Sequence, residues 1–483
     1  MVTQLAKSTL KILSDQEILR LNEASFKILR EFGVHVDDES FRKQLADLGC
    51  EVDGKRVKIQ PDLLEKVIAN TKAHNHVTLT SRDGIKVEIN PDSIVSHTTG
   101  GIPDILDLET GQKRRPVVDD VIATMRLMNH LEHLDTPCSL LYPSDVPAPI
   151  TQVKQTELMF RYSRKPIYGP GISSPGEAKY VAKLFEAFAG GSEELAKNPI
   201  GVVGVSPESP LKIPQVICDT MRIIISAGIP TSILSAPVGG MSGPLTLAGG
   251  LAQVNAEMLA FATVAYIINP ETTMFYGSRL FYANMKTGCT IMGLPETGMV
   301  SAAAAQLAAS NGFLSDLYGL CCTSCTFDSQ SGYEKAVNCL VPAMAGANWL
   351  SGFGAMASLM VASYEQLVID NETFGLIKKV AKGITVNDDT IGLDVLSSAI
   401  KGSMILAHPH TIKHLRGGEL FIPDLGFDSV WNDWDKKGQK DLRSVARERV
   451  YELLKKDEVV PLPDDLDQEV NGILDAAAAE LVK

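Results

Sequence analysis

Three stretches of this chain carry residues whose types and spacing could do chemistry. "SCTFDSQSGYEKA" (324–336) opens on a hydroxyl and a thiol, passes Asp328, Gln330, Tyr333, Glu334 and Lys335, and runs into an apolar helix. The overlapping "CCTSC" offers Cys321, Cys322 and Cys325. As thiolates these could hold zinc, which would activate the oxygen or sulfur of an alcohol or thiol. "HPHTIKH" offers His408, His410 and His414. Pro409 interrupts any helix through all three, only His410 and His414 stand one turn apart, and no carboxylate is suitably near, so a structural role is expected. No Gly-rich dinucleotide fingerprint, phosphate loop, HExxH or nucleophile elbow is present. Which groups can meet depends on the elements that carry them.

The whole chain sets the limits. It has 483 residues, 45% of them hydrophobic, enough for a large core and more than one average domain. A net charge of −13 argues against nucleic acid or an anionic membrane as the main partner and suits a cytoplasmic enzyme. The start, "MVTQLAKSTLKILSDQEILRLNEASFKIL", is amphipathic and broken by charges, unlike a signal segment. The apolar "LTLAGGLAQVNAEMLAFATVAYII" contains Gln253, Asn255 and Glu257 and reads as a buried helix, not a membrane span. Eight cysteines, four of them between 321 and 339, read as reduced, mostly buried thiols.

Residues 1–92 read as an α+β cap of three helices and short strands, with a hairpin turning on Asp83-Gly84. From residue 93 to 365, short apolar runs alternate with helical stretches. Eight of these runs are expected as strands: "SIVSHT" (93), "TPCSLLY" (136), "KPIYG" (165), "IGVVGV" (200), "PTSILS" (230), "TTMFYG" (272), "LYGLCC" (317) and "WLSGF" (349). Eight strands alternating with helices predict an α/β fold, a (β/α)8 TIM barrel; a doubly wound open sheet would need some of them to be false. Residues 366–483 read as a helical extension packed on the barrel. "SSPGE" at 173 is expected to be a capping box, with Ser174 as cap and Glu177 reaching back.

In a barrel, function comes from the carboxyl ends of strands and the loops after them. Those positions hold His97, Tyr142, Asp145, Tyr168, Glu208, Phe275, Tyr276, Arg279, Phe281, Tyr282, Thr323, Ser324, Trp349 and Phe353. Aromatic residues make up 6% of the chain, yet eight of them gather on this rim. An aromatic mouth with one or two carboxylates suits a cation that cannot donate hydrogen bonds, a quaternary ammonium. Its leaving group is already charged, so no metal is expected.

The stretches "TTGGIPDILDLETGQKRRPVVDD", "YPSD", "YGPGISSPGEAKYV", "GVVGVSPESPL", "DSQSGYEKAVNCL" and "LAHPHTIKHLRGGELFIPDLGF" together resemble the trimethylamine methyltransferase family, over residues 10 to 480. The resemblance implies a TIM barrel that passes a methyl group from an amine to the Co(I) of a corrinoid carried by a separate small protein. It implies no permanently bound cofactor. In the archaeal trimethylamine enzymes a pyrrolysine lies in or close to the segment matching "FDSQSGYEK"; here every residue is standard. That departure resembles the non-pyrrolysine branch, whose members demethylate betaines such as glycine betaine, proline betaine or carnitine.

The expected substrate-binding set is His97, Tyr142, Tyr168, Glu208, Tyr276, Arg279, Phe281, Tyr282, Trp349 and Phe353. Arg279 is the first choice to clamp a carboxylate, with His97 and Lys286 behind it, and Glu208 is placed to complement the positive head. Ser324, Asp328, Gln330, Tyr333 and Glu334 are expected on the rim that meets the corrinoid protein. A homo-oligomer is expected, with the apolar helices near 250 and 340 leaving room for an interface. Three alternatives stay open: a zinc-dependent corrinoid methyltransferase using the "CCTSC" thiols, a non-catalytic betaine-binding protein, and a corrinoid methyltransferase for another amine.

Overall fold

The computed structural model describes residues 3–4, 10–456 and 460–482. Seven parallel strands form its centre: β1 (Ser93–Thr98), β2 (Ile167–Gly171), β3 (Gly201–Val205), β4 (Thr231–Ser235), β5 (Met274–Ser278), β6 (Leu314–Tyr318) and β7 (Trp349–Phe353). Their order in space is β1-β7-β6-β5-β4-β3-β2, so the seven curl with β1 and β2 at their two ends, and Thr3–Gln4 pairs antiparallel with the start of β1.

The segment "TPCSLLY" lies between those edges without forming a ladder. Thr136 bridges His97 in parallel, and its N–H donates to the Ser96 carbonyl at 3.0 Å. On the other side the Tyr168 N–H donates to the Pro137 carbonyl at 3.0 Å. Pro137 has no N–H to contribute, which prevents a regular strand here. The ring therefore closes through isolated bridges, His97 with Thr136 and Ile102 with Leu141, and not through a ladder, giving a (β/α)8 barrel with one irregular stave.

Each stave is followed by a helix that packs its apolar face on the outside of the barrel. These are α1 (Val118–Met128), α2 (Thr151–Tyr162), α3 (Pro175–Ala189), α4 (Gln215–Ser226), α5 (Leu247–Ile268), α6 (Pro295–Ser310), α7 (Ser329–Met344) and α8 (Tyr364–Lys382). α5 is apolar all round because the barrel covers one side and the amino-terminal helix Asp15–Lys27 covers the other. It is the one helix among the described residues long and apolar enough to cross a membrane, and most of it is buried in the protein. Its polar residues are all engaged. Asn255 donates to Asn22 and Ser25, and Glu257 accepts from Ser209, Leu211, Ser235 and Gln253. The subunit interface expected near 250 is therefore interior.

Before the barrel come helices Asp15–Lys27, Glu39–Asp47 and Pro61–Ala73, and a hairpin of Val77–Thr80 with Lys86–Ile89. Its turn holds Gly84 at φ 79°, a conformation that glycine adopts without a Cβ clash. After the barrel, α9 (Leu442–Lys456) packs on α8 and α10 (Asp464–Leu481) on α3. Between α8 and α9 runs a string of short helices.

The capping box expected at 173–177 does not form. Ser174 caps α3 by backbone conformation alone, and the Glu177 carboxylate instead accepts the Gln152 N–H at 3.0 Å. The seventh expected strand begins at Leu314, three residues earlier than read, and this shift decides what the barrel interior holds.

Candidate active site

Side chains alternate along a strand, so every second residue faces the barrel interior. Inward positions near the carboxyl ends are His97 on β1, Tyr168 on β2, Ser232 and Leu234 on β4, Asp316 and Tyr318 on β6, and Arg279 just beyond β5. Asp316, fully buried, joins them. Its Oδ1 accepts from His97 Nε2 at 2.9 Å and Arg279 Nη2 at 2.7 Å, and its Oδ2 from the hydroxyls of Tyr168 at 2.7 Å and Ser232 at 2.6 Å. Arg279 Nη1 also donates to the Asp316 carbonyl at 2.7 Å. The other His97 nitrogen lies 2.8 Å from the Thr98 carbonyl. Both His97 nitrogens thus face oxygen atoms.

The electrostatics follow from burial and pairing. Burial raises the Asp316 carboxyl, but the Arg279 guanidinium and His97 outweigh it and hold the group well below the usual carboxylate range. Burial, together with the Asp316 charge, pushes the Tyr168 phenol well above its ordinary value. Burial pushes Tyr318 up to about 12. Both phenols are therefore neutral hydrogen-bonding groups at neutral pH. His97 stacks on Tyr168 with ring centroids 4.1 Å apart, and the Trp349 edge meets both rings at 5.3 and 5.1 Å.

At the carboxyl ends of the strands opens a cavity of about 380 Å³, lined by His97, Tyr168, Arg279 and Tyr318, by Tyr142, Gln152 and Gln155, and by Leu234 and Leu359. No Asp, Glu or Lys lines it among the described residues; its ionic wall is Arg279. Two polar atoms of its lining residues, Thr99 Oγ1 and Gln152 Oε1, are buried without a partner. Leu359 closes a turn in which Ala357, Ser358 and Leu359 all have positive φ, of 50°, 55° and 67°. Three consecutive left-handed non-glycine residues are strained, and such strain gathers at functional sites.

The matching family model is that of the trimethylamine methyltransferases, over residues 2–481. The chain belongs to the trimethylamine methyltransferase family. It is 30% identical to the trimethylamine methyltransferase MttB of Methanosarcina barkeri (strain Fusaro), across 97% of this chain and 95% of that protein. It is 28% identical to the glycine betaine methyltransferase of Desulfitobacterium hafniense (strain Y51), across 97% and 96%. The Methanosarcina barkeri monomethylamine methyltransferase structure shares the fold at a TM-score of 0.50 and 13% identity, covering 98% of this chain and 90% of that one. The protein is a methyltransferase, and with no pyrrolysine in its sequence it falls in the non-pyrrolysine branch.

The barrel brings together four residues of the expected substrate set: His97, Tyr142, Tyr168 and Arg279 line the cavity. Trp349 lies beneath them, its indole N–H donating to Thr136 Oγ1 at 3.0 Å. The others face elsewhere. Tyr276 is one residue out of phase with the interior and points its hydroxyl at Asn255, 3.3 Å away. The β1–β7 pairing shifts register between Leu350 and Phe353, with Gly352 at φ 112°, and Phe353 packs outward on Phe374 of α8. Phe281 and Tyr282 lie on a short strand pairing with Val238–Gly239, outside the cavity lining, and Lys286 is on an exposed turn. Glu208 is exposed and pairs with Lys212 at 2.8 Å, so it does not complement a positive head. Asp145 accepts the Val118 N–H at the start of α1.

The segment 324–336 divides into an anchored half and an exposed half. Glu334 is buried and accepts from the Thr323 and Ser324 N–H groups and from Gln330 Nε2. Ser324 is buried and donates to Asp328, which caps α7 by accepting the Ser331 N–H. Lys335 is buried and pairs with Asp370 at 2.9 Å. Tyr333 is left outermost, 60% exposed.

The "CCTSC" thiols do not converge: Cys321 and Cys322 are buried and Cys325 is exposed. The one group of three potential ligands whose atoms approach within 4.8 Å, among the described residues, is Asp389, His410 and His414. Folding thus supplies the carboxylate that "HPHTIKH" lacked in sequence. That carboxylate already holds Lys413 Nζ at 2.7 and 2.8 Å, and His410 Nε2 meets the Asp389 carbonyl, so the cluster ties its own segment together. Sequence reading missed Asp316; a strand begun at Leu314 would have put it in phase with Tyr318.

Proposed function

We propose that the protein moves a methyl group from a betaine to the Co(I) corrinoid of a separate partner protein. One observation carries the substrate class: the ionic wall of the cavity is Arg279, with no carboxylate lining it among the described residues. A simple amine cation gains nothing from a positive wall, whereas a zwitterion can turn its carboxylate toward it. Arg279 and the unpartnered Thr99 hydroxyl would hold that carboxylate. The trimethylammonium head then lies toward the open mouth, against tyrosine faces such as Tyr142 and Tyr168, where each cation–π contact is worth about 0.5–2 kcal/mol.

This orientation presents a methyl group to the acceptor. The C–N bond breaks, its electron pair stays on nitrogen to give a tertiary amine, and the acceptor supplies the pair for the new bond to carbon. Nitrogen loses its charge in this step, so no general acid is required. Asp316 holds Arg279 and His97 in place and touches neither reacting atom. The protein contributes orientation and exclusion of water. The corrinoid protein would cover the mouth, with Tyr333 and the neighbouring Asp328 and Gln330 offering it a surface. A cytoplasmic location fits a reaction that depends on a reduced corrinoid.

The test is anaerobic methylation of cob(I)alamin, followed by absorbance, with glycine betaine, proline betaine, carnitine and trimethylamine. Transfer from a betaine and none from trimethylamine is expected. Transfer from trimethylamine alone would overturn the substrate class, and betaine binding without transfer would leave a binding protein.

A further inference from the structure

Residues 384–416, between α8 and α9, form helices Asp388–Ile391, Leu393–Ile400, Ile405–Ala407 and Pro409–Arg416. Valine 395 is the only side chain of this segment that is buried; the other buried position is Gly392. Helices this short are unstable alone, and one buried side chain does not offset the entropy of ordering 33 residues. Eleven large hydrophobic residues of the segment are at least 42% exposed, among them Ile384 at 88%, Ile400 at 86% and Leu406 at 78%. A monomer rarely gathers so many exposed large apolar side chains in one short segment without a partner to cover them.

We propose that segment 384–416 is the surface through which copies of this chain associate. Two further observations select a second copy over the corrinoid protein. The first is position. The segment leaves the carboxyl end of α8, where Lys378 pairs with Asp135 and Gly375 abuts His133, both just ahead of the stave that starts at Thr136. This is the amino-terminal end of the barrel, opposite the cavity mouth, so a protein delivering a methyl acceptor to the mouth does not reach it. The second is charge. Asp388, Asp389 and Asp394 balance Lys401, Lys413 and Arg416, so the segment is neutral on a chain of net charge −13. Two such faces meet without the repulsion their chains otherwise impose. An apolar contact of this kind is characteristic of association between identical chains.

The experiment is sedimentation velocity on the full chain and on Ile400→Asp with Leu406→Glu, combined with amide deuterium exchange across a dilution series. The wild type should sediment at a multiple of the 52.1 kDa chain and the double variant at that mass. Protection of amides 393–416 in the wild type should fall on dilution, which tests the interface without a substitution. Betaine-dependent methyl transfer per chain should be unchanged in the variant, because the mouth is at the other end, and circular dichroism should lose no more than the short helices of this segment. A monomeric wild type, an undiminished oligomer in the variant, or concentration-independent exchange at 393–416 would each overturn the proposal.

Discussion

Replacing Asp316 with Asn is the sharpest test of the network at the barrel centre. Asn keeps the size and an acceptor oxygen for Arg279, and Tyr168 and Ser232 can turn their hydroxyls to accept from the new amide. What disappears is the charge. The Arg279 guanidinium, 2.7 Å from Asp316 Oδ1 and buried, loses its counter-ion. At an effective dielectric near 20, two unit charges about 4 Å apart attract by about 4 kcal/mol. Removing one member of a buried pair typically costs about 3–5 kcal/mol. The expected loss is therefore about 4 kcal/mol, read as a shift in the denaturant midpoint at pH 7. Arg279→Met should cost a similar amount, while Asp316→Leu with Arg279→Met should recover much of it, since an apolar pair leaves no charge buried. Betaine binding by calorimetry separates stability from function: the double variant folds but does not bind, and Asp316→Asn, which keeps Arg279, binds if folded. The pH dependence has a definite sign. The folded-state Asp316 carboxyl lies below its unfolded value of about 3.9, so its contribution is present above that pH and fades as pH falls further. Single variants within about 1 kcal/mol of wild type, or losses that simply add, would refute the reasoning.

Arg279→Gln should raise the betaine KM about 10- to 100-fold, because a hydrogen bond to a charged group is worth about 1.5–3 kcal/mol. Binding of tetramethylammonium, which has no carboxylate, should not weaken; equal losses for both ligands would remove Arg279 as the clamp. A Cβ at Gly204 would stand 2.6 Å from Leu234 Cδ1. Gly204→Ala should therefore push Leu234 into the cavity and lower kcat/KM for carnitine more than for glycine betaine, and an equal change for both would argue against Leu234 as a boundary of the site. Burial pushes the Glu177 carboxyl up to about 7, so the folded state holds its proton longer than the unfolded state and stability falls as pH rises from about 4.3 toward 7. Glu177→Gln should flatten that slope in thermal unfolding measured across this range; an unchanged slope would point to another group. Finally, a thiol reagent should titrate Cys289 and Cys325 rapidly in the native protein and the remaining six cysteines only after denaturation. More than two rapid equivalents would contradict the burial of the "CCTSC" pair.

The alternation of short apolar runs with helices determined the barrel, because a parallel strand must be apolar on both faces and needs a helix to return the chain. Composition and the Pro/Gly turns marked the strand ends, and His97, Tyr168 and Arg279 were legible as strand-end residues. Phase was not. Tyr276, Phe353 and Asp316 show that the alternation along a strand, a start misplaced by three residues at β6, or a bulge at Gly352 decides which side chain faces the cavity and which faces a helix. Pro137 was visible in the sequence, yet only the assembled sheet revealed that its segment closes the ring without a ladder. The partner of Arg279 lies 37 positions away and the partner of His97 lies 219 positions away. Local pattern carries no information about such distant pairs. Only the closure of the barrel, which brings β1, β2, β4, β5 and β6 around one axis, decided that a single buried carboxylate would hold them.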